Sequence, residues 1–284
     1  MAKDWVIKAI ERRKSCRSYT EQELDEQTRS QLLVELSREL PGPFGHSIRL
    51  QLLEAVFSAA EGGRRLGTYG VIRNARHFIA GAIDPNEPGV LEDYGHALER
   101  VILRATALGL GTCWLGASFQ RGLFEEVIGA AENQRVAAVT PVGYMASRRS
   151  LVDATMVWMA GSKKRKPWSE LFFEAELGRP LDERDARAYA GALEMLRLAP
   201  SASNLQPWRV VHDAPRRAWH FFLQRSRGYV KLAAVDLQRI DMGIAMLHFE
   251  MSCDALSLRG TWQDLECSGI GGRNVYVRSW VESA

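Results

Sequence analysis

DYGHALERVILRATALGLGTCW, residues 93–114, and DMGIAMLHFEMSCDALSLRGTW, residues 241–262, decide how this chain is built. The two 22-residue stretches align without a gap at an offset of 148 and share Asp, Gly, Ala, Ala, Leu, Leu and Trp at matched positions. Three further pairs, Leu98/Met246, Val101/Phe249 and Leu103/Met251, keep their apolar character. In the first copy Leu98, Val101, Ile102, Ala105 and Leu108 fall on one face of a helix, which the glycines of LGLGTCW close. Upstream, LDEQTRSQLLVELSRELPGP (24–43) lines up with LDERDARAYAGALEMLRLAP (181–200) at an offset of 157; the fall from 157 to 148 is a net loss of nine residues, which suits a loop. Two matched segments in the same order read as two copies of one α+β unit, residues 1–160 and 161–284. Tandem copies of this kind suggest a fused dimer, because a twofold homodimer buries the same patch on both partners and fusion keeps that patch within one molecule.

Each copy holds something its counterpart lacks. PSASNLQPWR (200–209) falls opposite PFGHSIRLQL (43–52), which has no Ser/Asn/Gln set of this kind. RKSCRSY (13–19) falls opposite ELFFEAE (170–176), which has no basic residue. Arg13 and Arg17, with Ser15 between them, offer two guanidinium groups and a hydroxyl near the end of a short helix, a set suited to a phosphate dianion. PSASN offers a turn whose hydroxyls, side-chain amide and backbone N–H groups suit the polar edge of a planar ligand, although Ser201, Ser203 and Asn204 also read as ordinary turn chemistry.

Composition narrows the class. Hydrophobic residues make up 46% and charged residues 25% of 284, an ordinary globular balance with ample apolar material for a core. Cys16, Cys113, Cys253 and Cys267 show no C-x-x-C spacing, which argues against a zinc site or a disulfide framework and for a reduced, cytoplasmic setting. No signal-type N-terminus and no run of 18 apolar residues is present, so no membrane partner is expected. A net charge of +3 is too small for a dedicated nucleic-acid binder, despite local clusters at RRKSCR (12–17), SRR (147–149) and KKRK (163–166). His46, His77, His96, His212, His220 and His248 show no paired metal-binding spacing, so no metal is expected. GIGGR (269–273) lacks the G-x-G-x-x-G order and reads as a turn. Trp114 and Trp262, matched in the repeat, read as core.

Local patterns predict helices over 5–14, 21–40 and 93–110, with Leu24, Leu32, Leu33 and Leu36 apolar in the second and Pro41 to Pro43 stopping it. HFIAGAI (77–83) and RVAAVTPVGY (135–144) read as strands, the latter's apolar run ending at Pro141 and Gly143. RLQLLEAVF (49–57) reads as a strand or a helix.

Several of these stretches resemble motifs of the nitroreductase-like flavoproteins. RKSCRSY is similar to the family's R-R-S-x-R-x-F/Y, APSASNLQPW (199–208) to its P-S-x-x-N-x-Q-P-W, and LGLGTCWLGAS (108–118) to the glycine-rich segment after its long interface helix. AAVTPVGYMA (137–146) resembles its G-Y-P strand end and KKRKPW (163–168) its basic K-x-R-x-P segment. An ordinary member carries each motif once per chain and pairs two chains; here P-S-x-x-N follows the glycine-rich segment, as in the single-chain branch of the family. The resemblance implies a nitroreductase-like α+β fold whose two tandem units form an intramolecular pseudo-dimer, monomeric as a chain, with one FMN at the internal interface.

By the same resemblance Arg13, Lys14, Ser15 and Arg17 hold the FMN phosphate and ribityl side, closed over by Lys163 and Arg165, with Arg148/Arg149 as the alternative basic pair. Pro200, Ser201, Ser203 and Asn204 meet the isoalloxazine, and Leu115 and Gly116 present backbone groups near N5 and O4. The implied activity is NAD(P)H oxidoreduction, with NAD(P)H as co-substrate and a small-molecule acceptor such as a nitroaromatic, quinone or enone. No catalytic side chain is required, because the flavin carries the chemistry and the protein supplies orientation and electrostatics. The rival readings are a flavin-binding or ligand-sensing protein that has lost turnover, and a module that uses its basic clusters on an acidic partner.

Overall fold

The computed structural model describes residues 4–57, 64–147, 164–226, 235–265 and 273–283. Seven α-helices occur among them: α1 (Asp4–Arg12), α2 (Glu26–Leu36), α3 (Val90–Ala107), α4 (Arg121–Ile128), α5 (Trp168–Leu171), α6 (Ala190–Arg197) and α7 (Leu237–Ala255). Two main sheets accompany them. The first is formed from β1 (Gln51–Glu54), β4 (His77–Ile83), β6 (Arg135–Gly143) and β5 (Gly111–Thr112), in that spatial order and antiparallel throughout. The second takes β10 (Gly260–Gln263), β11 (Asn274–Glu282), β9 (Ala218–Gln224), β8 (Trp208–Asp213) and β7 (Phe172–Glu174), with β7 parallel to β8 and the other pairs antiparallel. A short ribbon of β2 (Val56–Phe57) and β3 (Arg64–Arg65) stands apart.

The two repeat helices, α3 and α7, lie against each other between the sheets and form the most extensive helix pairing in the molecule. Their contact is reciprocal at the repeat offset. A Cβ at Gly95 would run into the Ile240 carbonyl, and one at the matched Gly243 into the Glu92 carbonyl, while Glu92 and Ile240 are themselves separated by 148. Each glycine thus lets its helix backbone touch the other directly. One continuous core follows from this, joining Tyr94, Leu98 and Val101 of α3 to Met242, Met246 and Phe249 of α7 and to Trp208 and Phe221 of the second sheet. Helix α1 packs across both halves, with Val6, Ala9 and Ile10 against Leu103, Met195 and Leu247.

Local chemistry moves several boundaries away from the sequence expectations. Helix α2 begins at Glu26 because the Asp25 carboxylate caps it, accepting the Thr28 N–H at 2.9 Å, and it ends four residues before Leu40. Leu32 is buried there but Leu33 is 44% exposed, so the apolar face is narrower than predicted. RLQLLEAVF is extended and splits between two partners, β1 on β4 and β2 on β3. β6 runs through Pro141, opposite Phe78, and ends at Gly143 as the sequence predicts, with the Cys113 N–H bonding the Thr140 hydroxyl at 3.1 Å beside it. GIGGR lies outside the described residues except for Arg273.

Candidate functional site

The segment after α1 crosses to the first sheet. Arg13 N–H closes the helix on Ala9 O at 2.8 Å, and Cys16 N–H donates to Thr112 O at 2.8 Å, fixing residues 13–17 alongside β5. Gly111 is small because Cys16 lies on it; a Cβ there would stand 2.8 Å from the Cys16 side chain. Opposite, α6 runs into the loop 200–207, which is tightly strung. Ser203, Asn204 and Gln206 all have positive φ, 50°, 54° and 47°. Such backbone persists only where its surroundings hold it, and it concentrates at ligand clamps.

The surroundings here are residues 164–166. Asn204 Nδ2 donates to Lys164 O at 2.8 Å, Arg165 Nη1 donates to Asn204 Oδ1 at 3.1 Å, and Lys166 N–H donates to Gln206 Oε1 at 2.7 Å. Arg165 is further fixed on Leu198 O through Nη2 at 2.9 Å. The basic segment and the PSASN loop therefore form one unit, which neither motif announces by itself.

Between this unit and residues 13–17 lies a cleft, open to solvent, whose cavity measures about 170 Å³. Arg13, Ser15, Arg17 and Gly116 line it from the first half; Arg165, Pro200, Ser201, Ser203 and Asn204 line it from the second. Arg13 and Asn204, at opposite ends of the sequence, thus face one cleft. Lys14 and Leu115 do not line it. Leu115 is drawn into a bridge with Val139, donating its N–H at 2.9 Å and accepting at 3.0 Å, so its backbone groups are already taken, and Gly116 alone of that pair reaches the cavity. A side chain at Gly116 would strike Leu237 at 2.7 Å. Lys163 and the alternative Arg148/Arg149 lie outside the described residues.

The remaining lining completes an amphipathic pocket. Leu237, Ile240 and Ile244 of α7 and Ala138 of β6 form an apolar wall. Trp114 packs against the main core and also lines the cavity, with its indole N–H held by Glu99 at 2.6 Å. Its repeat partner Trp262 packs as core, 5.0 Å from Phe221 and 5.3 Å from Trp280 between ring centroids. Glu99 in turn bonds His248 of α7 at 2.9 Å and lies 4.0 Å from Arg13, so a buried polar chain runs from the second half to the cavity wall.

The electrostatics point to an anion. Arg17 Nε and Nη1 are buried and have no partner among the described residues. Burial, then the neighbouring Arg13 and Arg197 guanidiniums, push the Arg165 pKa down to about 10. Cations gathered at such a cost signal a ligand of opposite charge. Asp241, which sequence reasoning used only as a mark of the repeat, also lines the cavity; full burial pushes its carboxyl up to about 8.

The chain matches the family model described as "Putative TM nitroreductase" over residues 5–253. Among solved structures it is similar to a protein of Thermotoga maritima described as a "putative nitroreductase", at 18% identity and a TM-score of 0.59, covering 97% of this chain and 93% of that one. A nitroreductase family protein of Clostridium novyi NT matches at 23% identity and a TM-score of 0.37, over 50% of this chain and 88% of that chain. A Bacteroides fragilis nitroreductase with bound FMN matches at 19% identity and a TM-score of 0.39, over 51% of this chain and 91% of that chain. No curated protein matches the chain. With nearly its whole length matched, and with the fold of the Thermotoga protein, the chain belongs to this nitroreductase family.

Proposed function

We propose that the protein is an FMN-dependent NAD(P)H oxidoreductase with one flavin per chain, held in the cleft between two fused units, residues 1–160 and 161–284. The observation that carries this reading is the cavity itself, in which guanidiniums from residues 13–17 meet the strained PSASN loop over an apolar wall. The residues suit the group. Arg17 has buried donors without partners among the described residues, Arg13 and Arg165 stand close by, and Ile240, Ile244 and Trp114 offer apolar surface for a planar ring.

Bound FMN would supply the redox chemistry, accepting hydride from NAD(P)H and passing electrons to a nitroaromatic, quinone or enone. The protein's part is placement. Arg13, Ser15, Arg17 and Arg165 neutralise and orient the phosphate side with charge-assisted hydrogen bonds. Pro200, Ser201 and Ser203 close the opposite side, and Gly116 brings backbone near it. Asn204 acts at one remove, because its amide already ties Arg165 and Lys164 to the loop. Lys163 stays a proposed phosphate contact, whereas Lys14 and Leu115 support neighbours that reach the cavity. Among the described residues no helix is long and apolar enough to cross a membrane; a cytoplasmic monomer acting on small molecules is part of the same reading.

The test is an absorbance spectrum of protein incubated with FMN and desalted, before and after anaerobic NADH or NADPH. Retained oxidised-flavin absorbance that bleaches with either nucleotide is expected. Retained flavin that does not bleach assigns binding without turnover, and loss of all colour on desalting removes the flavin reading.

A further inference from the structure

The repeat places an aspartate at the same point of α3 and α7, and the two are used differently. Both carboxylate oxygens of Asp93 are taken: Oδ1 accepts the Phe44 N–H at 2.9 Å, and Oδ2 accepts the His46 N–H at 2.9 Å with His46 Nδ1 also at 2.9 Å. Asp241 Oδ1 accepts the Ala202 N–H at 2.9 Å, but Oδ2 has no partner among the described residues, although the side chain is fully buried and lines the cavity. A buried polar atom left open is costly unless something else completes it.

Resting on the flavin reading above, we propose that Asp241 is a ligand-reading residue: as a neutral acid it donates one hydrogen bond from Oδ2 to a lone-pair acceptor, a carbonyl oxygen or unprotonated nitrogen on the flavin ring edge. Oδ1 is already an acceptor for Ala202, so the acid proton belongs on Oδ2 of the carboxyl that lines the cavity. No cation forms an ion pair with Asp241 among the described residues, and the charge acting on it is a like one, Asp236 at the start of its own helix. Arg239, next along α7, is engaged by Glu92 at 3.1 Å. Arg13, Arg17 and Arg165 line the same cavity but none bonds Asp241. Ser201 and Ser203 are the other polar groups of the loop that Asp241 holds. With burial and a like charge raising its pKa to about 8, the acid remains protonated at neutral pH.

The experiment is FMN titration by fluorescence quenching, at pH 7 and pH 9, for the wild type, Asp241→Asn and Asp241→Leu. Asparagine keeps an acceptor for Ala202 and a donor for the ligand, so at pH 7 its dissociation constant should stay within about threefold of wild type, while leucine should weaken binding about tenfold, the scale of one lost hydrogen bond. Raising the pH to 9 should weaken wild-type binding about fivefold or more, because an ionised carboxylate cannot donate and repels an acceptor. Asp241→Asn should show no such loss; since it retains Arg165, that contrast separates Asp241 from titration of the guanidinium. Asparagine weakening binding tenfold at pH 7, leucine binding like wild type, or a flat wild-type pH series would each overturn the proposal. The wild-type series stands even if a variant fails to fold. A wild type that binds no FMN at either pH removes the flavin reading and this inference with it, whereas wild-type binding with the wrong variant pattern removes the inference alone.

Discussion

The cavity and its counterpart across the internal repeat began from matched positions and have been filled differently. On one side Arg13, Arg17 and Arg165 face an open cleft, Trp114 lines it, and one Asp241 oxygen has no partner among the described residues. On the other, Asp93 is saturated by the loop Phe44–His46, Arg278 stands 4.9 Å over the Phe44 ring, and Trp262 is enclosed by Phe221, Phe249 and Trp280. The basic residues of 13–17 correspond to a stretch that supplies Phe172 and Phe173 to β7 instead. Of the two places that the sequence repeat relates, one is filled and the other stays open.

The comparison can be strained hardest at the helix crossing that both halves share. Gly243→Ala should destabilise the protein by about 3 kcal/mol or more, because the new Cβ meets the Glu92 backbone, which cannot move aside. Gly95→Ala should act in the same direction through Ile240. Thermal unfolding of both variants checks the reciprocity; a large loss for one and none for the other would mean that the contact is not symmetric.

Next come the aspartates, whose amide variants should move stability in opposite directions. Asp241, raised to about 8 in the fold, stays neutral while the unfolded chain ionises from about pH 4, so wild-type stability should fall by up to about 1.4 kcal/mol per pH unit between those values and then level off. Asp241→Asn lacks that loss, so ligand-free it should be the more stable protein at pH 8, by a few kcal/mol. Asp93→Asn should be less stable by about 2 kcal/mol, since an amide cannot accept every hydrogen bond that the carboxylate takes from Phe44 and His46. Denaturant titration at pH 5 and pH 8 reads both.

Smaller effects concern the ligand and the tryptophans. Arg17→Ala should weaken FMN binding by about 2 kcal/mol, roughly thirtyfold, with little change in ligand-free stability, because Nε and Nη1 bond nothing among the described residues. Trp114→Phe, which gives up the bond to Glu99, should weaken FMN binding by about 1 kcal/mol. Trp262→Phe gives up the bond to Glu250 and should leave FMN binding unchanged. Equal effects on FMN binding from the two tryptophans would erase the distinction between open and filled sides.

Much of this difference is legible in the sequence, because the repeat and the motifs are local patterns. The offset of 148 pairs Gly95 with Gly243 and locates the helix crossing, and the complementary losses in the two copies bring Arg13 and Asn204 to one cleft. Properties that depend on a third partner are not legible. Trp114 and Trp262 are identical in the alignment and each donates to a glutamate, Glu99 and Glu250; only their surroundings, the cavity on one side and the aromatic cluster on the other, separate them. Leu115 shares its motif with Gly116 but is claimed by Val139. Asp241 marks the repeat in sequence, whereas its open oxygen is a consequence of the Ala202 loop offering one N–H where the Phe44 loop offers two. The αL backbone at Gln206 likewise sits among bonds to Ser201 and Asn204 of its own loop and to Lys166 outside it.

The most direct measurement is the number of flavins bound by a chain of known concentration, read by isothermal titration with FMN and by the flavin absorbance of the saturated, desalted protein. One FMN per chain, abolished when Arg13 and Arg17 are both replaced by alanine, is the predicted result. Two per chain, or binding that survives the double replacement, would contradict a single cleft built from both halves.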